Sequence, residues 1–194
     1  MPRIVDETKM QRIKDATIEL VVEKNYGGAS ISAIAKKAGV AEGYLYRYYS
    51  SKHDLILDLL YSRINFLIER LESLLDTCTD IKTIIKQLYE RIFEIAEENP
   101  IHIKFIHVLM HNYNFIISDK QRTKIYELTT RVIKLGVKKN EINPNITEEE
   151  IFLITISYPL EFINMKLKNF FGDDKWTNSD VERLTNFCIN ALKK

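Results

Sequence analysis

Cysteine is scarce in this chain of 194 residues, which contains only Cys78 and Cys188. The two residues lie far apart and form no CxxC pair, so the sequence offers no disulfide framework. Proteins of reducing compartments show this kind of cysteine usage. We therefore expect a protein that folds without disulfides.

Long hydrophobic runs are also missing. No apolar run approaches the length that crosses a membrane, and the N-terminal sequence MPRIVDETKMQRIKD lacks the apolar core of a secretory signal. These absences predict a soluble, cytoplasmic protein. Strand-like alternation and internal repeats are absent too, whereas helical periodicity recurs along the chain. We expect an all-α protein of about nine helices.

The net charge is only +1, so there is no global signal for binding a polyanion. The distribution is more informative, because residues 1–53 carry nine Lys and Arg against six Asp and Glu. A modestly basic N-terminal part is typical of a sequence-specific DNA-binding protein rather than of one that coats DNA. Arg3, Lys9, Arg12 and Lys14 are candidates for additional phosphate contacts.

The most informative stretch is SISAIAKKAGVAEGYLYRYYSSKH, residues 30–53. Ser30 is a typical helix N-cap, and the apolar residues after it have helical spacing. Gly39 adopts positive φ without steric cost, and a second short helix with Leu45 on its buried side follows. A short helix, a glycine turn and a second short helix predict a helix-turn-helix.

Several side chains of this stretch are not needed for its buried face, and we predict that they contact DNA. Those of the second helix suit base edges in the major groove, while Tyr46 and Lys52 suit phosphates. Ser51 with Asp54 predicts the start of a long helix whose N-terminus attracts a phosphate. The predicted DNA-binding residues are Ser32, Glu42, Tyr44, Tyr46, Arg47, Tyr48 and Lys52.

The run from Ile13 to Leu60 resembles the DNA-binding end of the TetR family of bacterial transcriptional regulators. The resemblance rests on an amphipathic first helix over 7–25 and on the motifs EKNYG (23–27), IA (34–35), AGV (38–40), Gly43, LY (45–46), an aromatic at Tyr49 and SK (51–52). Ala41, Glu42 and Tyr44 depart from the Ser, Lys and Thr or Ser often found there. These departures leave the operator sequence open but not the DNA-binding role.

The resemblance implies a DNA-binding regulator, a repressor that a small-molecule effector releases from a palindromic operator. It assigns residues 1–50 to a helix-turn-helix domain and residues 51–194 to a ligand-binding and dimerisation domain. The predicted eighth and ninth helices are apolar on more than one face, which suits a homodimer. Such a dimer spaces two recognition helices about 34–36 Å apart on DNA.

Capping signals predict the starts of the later helices. These signals are Asp80, Asn99-Pro100, Ser118 with Gln121, Thr147 with Glu150, and Ser179 with Glu182. Tyr26-Gly27-Gly28 is expected to end the first helix, and the sixth is expected to run to about Ile117. Pro159 interrupts the eighth helix and should free the carbonyl of Thr155, either in a pocket wall or at the dimer surface.

Aromatic residues and histidines of the body are candidates for an effector pocket. An aromatic cavity with few charges favours an apolar or flat ligand. Aromatic residues at helical spacing equally serve as core. The candidate pocket residues are Phe66, Tyr89, Phe93, His107, Met110, His111, Tyr126, Tyr158 and Phe162.

Two functions of other classes remain open. His107 and His111, at i and i+4, share one helix face and suit a metal-binding helical protein or enzyme. However, no Cys or nearby carboxylate in the sequence completes a zinc site. The chain also lacks paired carboxylates, an activated nucleophile and a phosphate loop, so neither enzymatic activity nor a cofactor or metal is expected. The second alternative is a helix-turn-helix protein that recruits a partner protein instead of sensing a ligand.

Overall fold

A computed structural model describes residues 6–112 and 115–193, and all regular structure in these ranges is helical. None of the described helices combines the length and apolarity needed to cross a membrane. The all-α prediction is confirmed. The elements are α1 (Glu7–Gly28), α2 (Ile31–Ala38), α3 (Glu42–Leu45), α4 (Lys52–Thr77), α5 (Ile81–Glu98), α6 (Pro100–Met110), α7 (Asp119–Lys138), α8 (Glu148–Phe152), a π-helical turn (Leu153–Ser157), α9 (Tyr158–Leu167) and α10 (Asn178–Leu192).

The chain forms two compact units. The first contains the residues up to Arg63 together with Lys104–Phe115, and the second contains Ile64–Ile103 and the residues from Ile116 onward. In the first unit α2 packs on both α1 and α3, and in the second α5 packs on α7, α9 and α10. Because the second half of α6 belongs to the first unit, the segment that follows it lies in the same unit as the predicted helix-turn-helix.

Side-chain caps begin several helices where the sequence predicts them. The Ser30 Oγ accepts a hydrogen bond of 3.1 Å from the Ala33 N–H, and Asp80 accepts one of 2.8 Å from Thr83. At α8, Thr147 and Glu150 form both arms of a capping box. These bonds satisfy N–H groups that have no partner within the helix, so each one stabilises a start by about 1 kcal/mol.

The start of α10 corrects a prediction. Thr177 and Asp180 form the capping box here, two residues before the predicted Ser179 and Glu182. Glu182 instead forms ion pairs with Lys86 on α5, at 3.3 Å, and with Lys82, at 3.6 Å. The Glu182 carboxylate, which the sequence predicted as part of a capping box, therefore stabilises the contact between α10 and α5 instead.

α1 ends at Gly28, within the predicted stop, whereas the end of the sixth helix differs from the prediction. In α1 the residue with positive φ is Asn25 (φ 58°) and neither of the two glycines that follow it. The sixth helix ends at Met110 rather than near Ile117, and the predicted helical residue Tyr113 lies outside the described residues. His111 helps to end α6, because its Nδ1 lies 2.9 Å from the carbonyl oxygen of His107 in the last turn.

Gly136 is buried near the end of α7, where the chain turns back on itself. Its carbonyl accepts hydrogen bonds from the N–H groups of Glu141 and Ile142, at 2.8 and 3.3 Å. A Cβ at position 136 would lie 2.5 Å from Cδ1 and 2.9 Å from Cβ of Ile142, and closer still to its Cγ1. A side chain at this position would therefore push Ile142 out of the core.

We expect Gly136→Ala to lower the free energy of unfolding by about 1–3 kcal/mol, because the added methyl overpacks the site. Gly27→Ala is the matched control, since nothing lies within 4 Å of the Cβ it would add. That control should lie within about 1 kcal/mol of the wild type. Urea titrations followed by circular dichroism measure both. Equal stabilities of the two variants would contradict the close approach of Ile142 to Gly136.

Candidate nucleic-acid interface

A left-handed residue at Gly39 (φ 66°, ψ 41°) ends α2. The Val40 N–H donates to the Ala35 carbonyl at 3.0 Å, which closes the last turn of the helix. Ala41 then adopts an extended conformation, and α3 begins without a side-chain cap. The sequence therefore folds into the helix-turn-helix that it predicted.

The second helix of this motif is shorter than expected, since α3 spans only Glu42–Leu45. The chain nevertheless continues to turn, because the N–H groups of Tyr48 and Tyr49 both donate to the Leu45 carbonyl at 3.0 Å. Leu45 is buried, as predicted. Tyr49 donates a 2.9 Å hydrogen bond to Asp58 on α4, which ties the end of the turn to the next helix.

Most of the predicted DNA-binding side chains lie on the surface of the first unit. Tyr44 is half-buried, and Lys52, described below, is half-buried as well. Tyr46 is the most open of the tyrosines, with 56% of its surface exposed. The exposed members of the predicted set are Ser32, Glu42, Tyr46, Arg47 and Tyr48.

The ring of Tyr44 contacts one aromatic and two cationic side chains. Its ring centroid lies 5.3 Å from that of Tyr48, 5.8 Å from the Lys9 Nζ and 5.9 Å from the Arg47 Cζ. The nearby Tyr44 hydroxyl raises the pKa of Tyr48 above its ordinary value, so the Tyr48 phenol stays protonated at neutral pH. The ring holds two cations near the exposed surface. Lys9 also pairs with Asp6 at 2.9 Å.

Lys52 begins α4 and is held by Tyr26. Its Nζ donates a 2.8 Å hydrogen bond to the Tyr26 carbonyl and lies 4.1 Å from the centroid of the Tyr26 ring. Ser51 caps the same helix, since its Oγ accepts from the Asp54 N–H at 3.1 Å. Sequence reasoning missed Tyr26, although it lies within the EKNYG motif that carries the family resemblance.

The structure divides the nine candidate effector residues between the two units. His107, Met110 and His111 belong to the first unit, and the other six belong to the second. The rings of His107 and His111 lie 4.2 Å apart, as their i, i+4 spacing implies. Because the Nδ1 of His111 already bonds the His107 carbonyl, only its Nε2 remains available to a ligand.

Tyr89 is fully buried in the second unit and uses its hydroxyl within the protein. That hydroxyl donates a 2.6 Å hydrogen bond to the Ile154 carbonyl. In the π-helical turn the Tyr158 N–H bonds Leu153 instead of Ile154, and the next residue, Pro159, has no N–H to donate. The carbonyl released by Pro159 is thus Ile154 rather than the predicted Thr155, and leaving it unpaired would cost about 1–3 kcal/mol.

Cys188 lies close to Tyr89 and is also fully buried. Burial raises the pKa of the Cys188 thiol to about 12. Burial likewise raises the pKa of Tyr89. Both groups stay neutral at physiological pH, so this part of the second unit carries no charge of its own.

A second aromatic group surrounds Phe93 and Phe162, whose ring centroids are 6.1 Å apart. Trp176 meets Phe93 edge-on at 6.0 Å and donates to Glu97 at 3.1 Å. Arg183 lies 5.4 Å from the Phe162 ring. Sequence reasoning missed Trp176 and Arg183, because they come from the loop and helix after α9.

Three predicted pocket residues lie on the surface instead. Phe66, Met110 and Tyr126 have 40%, 49% and 58% of their surface exposed. Phe66 is covered in part by Arg91, whose Cζ lies 5.4 Å from its ring. Tyr158 is half-buried, and its ring centroid lies 5.3 Å from that of Phe187, which the sequence did not assign to the pocket.

Comparison with known proteins places this geometry in context. The family described as "Bacterial regulatory proteins, tetR family" matches residues 13–59. The fatty acid metabolism regulator protein of Bacillus subtilis strain 168 is 39% identical over 64 residues, which cover 33% of each chain. A second relative from that organism, the HTH-type regulator YvdT, is 35% identical over 47% of each chain. The matches thus span less than half the length of these curated relatives.

Solved structures extend the similarity of the fold to almost the whole chain. A TetR family transcription regulator from Marinobacter aquaeolei VT8 has a TM-score of 0.75 at 19% identity, covering 96% of both chains. The regulator FadR from Bacillus subtilis, solved in complex with stearoyl-CoA, has a TM-score of 0.64 at 22% identity, covering 94% of this chain and 97% of that one. These structures show that the chain shares their fold, and the match over residues 13–59 shows that this stretch is similar to the tetR family of bacterial regulatory proteins.

Proposed function

We propose that this protein is a transcriptional regulator without enzymatic activity, a repressor that acts in the cytoplasm by binding a palindromic operator. The helix-turn-helix closed by Gly39, with exposed Tyr46, Arg47 and Tyr48 beyond it, is the observation that carries the proposal. Residues 1–50 form the DNA-binding domain in this proposal. Residues 51–194 bind the effector and a second copy.

The contacts with DNA divide between base edges and phosphates. Tyr44, Arg47 and Tyr48 form one aromatic and cationic surface, which suits thymine methyl groups and guanine acceptors in the major groove. Tyr46 and Lys52 reach phosphates, which position the protein without reading sequence. Glu42 accepts from a cytosine amine or faces away from the backbone, and Ser32 contributes from α2.

The effector is a fatty-acid derivative in this proposal. The relative with the 64-residue match is a fatty acid metabolism regulator, and one structural neighbour was solved with stearoyl-CoA. In the present chain the second unit supplies the uncharged Tyr89 and Cys188 group and the aromatic group around Phe93. Such surroundings suit an apolar chain better than a charged ligand.

Fluorescence anisotropy at near-physiological salt tests the function and the effector together. We expect saturable binding to DNA from upstream of the protein's own gene, with two protomers per site, and at least 10³-fold weaker binding to a scrambled duplex. Stearoyl-CoA should release the operator, whereas free coenzyme A should not, since the effector must favour the state with low DNA affinity. Equal binding to both duplexes would contradict the proposal that the protein is a sequence-specific regulator. If neither compound releases the protein from the operator, only the proposed effector is contradicted.

Substitutions of Tyr44 and Lys52 test whether Tyr44 recognises base edges while Lys52 contacts a phosphate. Lys52→Ala should weaken binding to all duplexes alike and lower the slope of log affinity against log salt by about 0.9. Tyr44→Ala should instead change the preference among single-base variants of the operator by about 1–3 kcal/mol per affected pair. A uniform loss across all sequences for both variants would contradict this division.

The partner is a second copy of the chain, bound through the surface of α8, α9 and α10. Phe187 and Leu153 have 61% and 57% of their surface exposed, and Tyr158 pairs with Phe187. Exposed aromatic and aliphatic side chains on adjacent helices are typical of an interface between identical copies. A dimer places two helix-turn-helix domains on the two halves of a palindromic operator.

Phe187→Glu should convert the dimer to a monomer and weaken operator binding by about tenfold or more, because the new carboxylate would be buried unpaired at the interface. Light scattering after size exclusion measures the mass. Asn186→Glu is the matched control, since Asn186 is the exposed neighbour on the same helix. A wild-type monomer, or a Phe187→Glu dimer of unchanged stability, would exclude this surface.

A further inference from the structure

Three aromatic rings from distant parts of the chain meet in the first unit. Tyr26 lies at the end of α1, His53 in the first turn of α4, and Phe115 shortly after α6. The centroid of Phe115 lies 4.8 Å from that of Tyr26, edge to face, and 5.3 Å from that of His53, with the planes nearly parallel at 15°. Tyr26 and His53 are 6.4 Å apart. We call these three residues the aromatic clamp.

The clamp holds a cation next to it. Lys52 precedes His53, and Tyr26 engages its ammonium twice, through the carbonyl at 2.8 Å and through the ring face at 4.1 Å. An ammonium has three donors, so the bond to the Tyr26 carbonyl leaves two for a phosphate. The Lys52 side chain is thereby ordered before any ligand arrives.

The backbone at Tyr26 is also constrained. Asn25 has φ 58° and ψ 176°, a conformation that interrupts α1 just before Tyr26. Such a conformation persists only when surrounding contacts hold it. Within the described residues Tyr26 receives those contacts from Lys52, His53 and Phe115. Phe115 covers the edge of this arrangement, because it touches both other rings.

We propose that Phe115 is a positioning residue for DNA binding, which acts through Tyr26 to hold the ammonium of Lys52 at the start of α4. The proposal rests on the proposed function, in which Lys52 contacts a phosphate. Phe115 is the last residue of the first unit, and the chain enters the second unit at Ile116.

The direction of the effect follows from preorganisation. When Phe115 is lost, the Tyr26 ring and the Lys52 side chain gain rotational freedom that DNA binding must remove again. Phe115→Ala should therefore weaken binding to all duplexes by roughly five- to tenfold, with no change of sequence preference, as expected for a phosphate contact. Phe115→Tyr retains the ring and should bind like the wild type.

A double-mutant cycle separates positioning from general stabilisation. If Phe115 acts through Lys52, then Phe115→Ala should cost less than about twofold in affinity when Lys52→Met is already present. The slope of log affinity against log salt should fall by about 0.9 in Lys52→Met and in the double variant, which lose a phosphate contact, and should stay unchanged in Phe115→Ala, which still forms it. Losses that simply multiply would overturn the proposal. Tighter binding by Phe115→Ala would overturn it as well.

A measurement without DNA distinguishes this inference from the proposed function. In the full-length wild type, NMR should show the ε-methylene protons of Lys52 shifted upfield by the Tyr26 ring. Phe115→Ala and Tyr26→Leu should return them to ordinary values, and Ile116→Ala, at an exposed neighbouring residue, should not. Phe115→Leu, which keeps most of the volume but no ring, replaces the alanine variant if that one unfolds.

The two readouts have separate consequences. Specific DNA binding by the wild type with an unchanged Lys52 signal in the Phe115 variants would overturn the positioning role and leave the regulator intact. A Lys52 signal that depends on Phe115, in a wild type that binds no DNA, would overturn the proposed function and, with it, a role of the clamp in DNA binding. The expected result is a signal and an affinity that both depend on the ring at position 115.

Discussion

The helix-turn-helix of this protein depends on one backbone conformation, the left-handed turn at Gly39. A residue with a Cβ adopts φ 66° and ψ 41° only at a cost. Because α2 ends there, Leu45 turns into the core, and Tyr46, Arg47 and Tyr48 stay at the surface. If α2 continued through position 39, a different set of side chains would face outward.

A second constraint acts in the other unit, where Pro159 follows the π-helical turn. Proline cannot donate a backbone hydrogen bond, so one carbonyl of the helix needs a partner from elsewhere. The hydroxyl of Tyr89 on α5 supplies it at 2.6 Å. The pairing ties α5 to the helical stretch over 148–167. It also means that a ligand reaching Tyr89 competes with a bond inside the protein.

Polar and charged residues show which contacts can be predicted from neighbouring residues in the sequence and which cannot. Asp80 and Thr147 cap the helices that spacing assigned to them, because a cap bond joins residues only three apart. Glu182 has the same local signature but pairs with Lys86 on another helix. Lys52, which the sequence predicts to contact a phosphate, is oriented by Tyr26. The boundary at residues 50 and 51, which the sequence predicted between the two domains, stays a prediction.

The sequence by itself determined the all-α class and the helix-turn-helix, since these follow from residue spacing, caps and one glycine. Only the tertiary structure decided that Phe115 meets Tyr26 and His53, that Tyr89 satisfies Ile154, and that Lys9 and Arg47 flank Tyr44. The physical reason is range. Hydrogen bonds and steric limits within one helical turn can be predicted from neighbouring residues, whereas ring contacts and carbonyl partners depend on how distant segments pack.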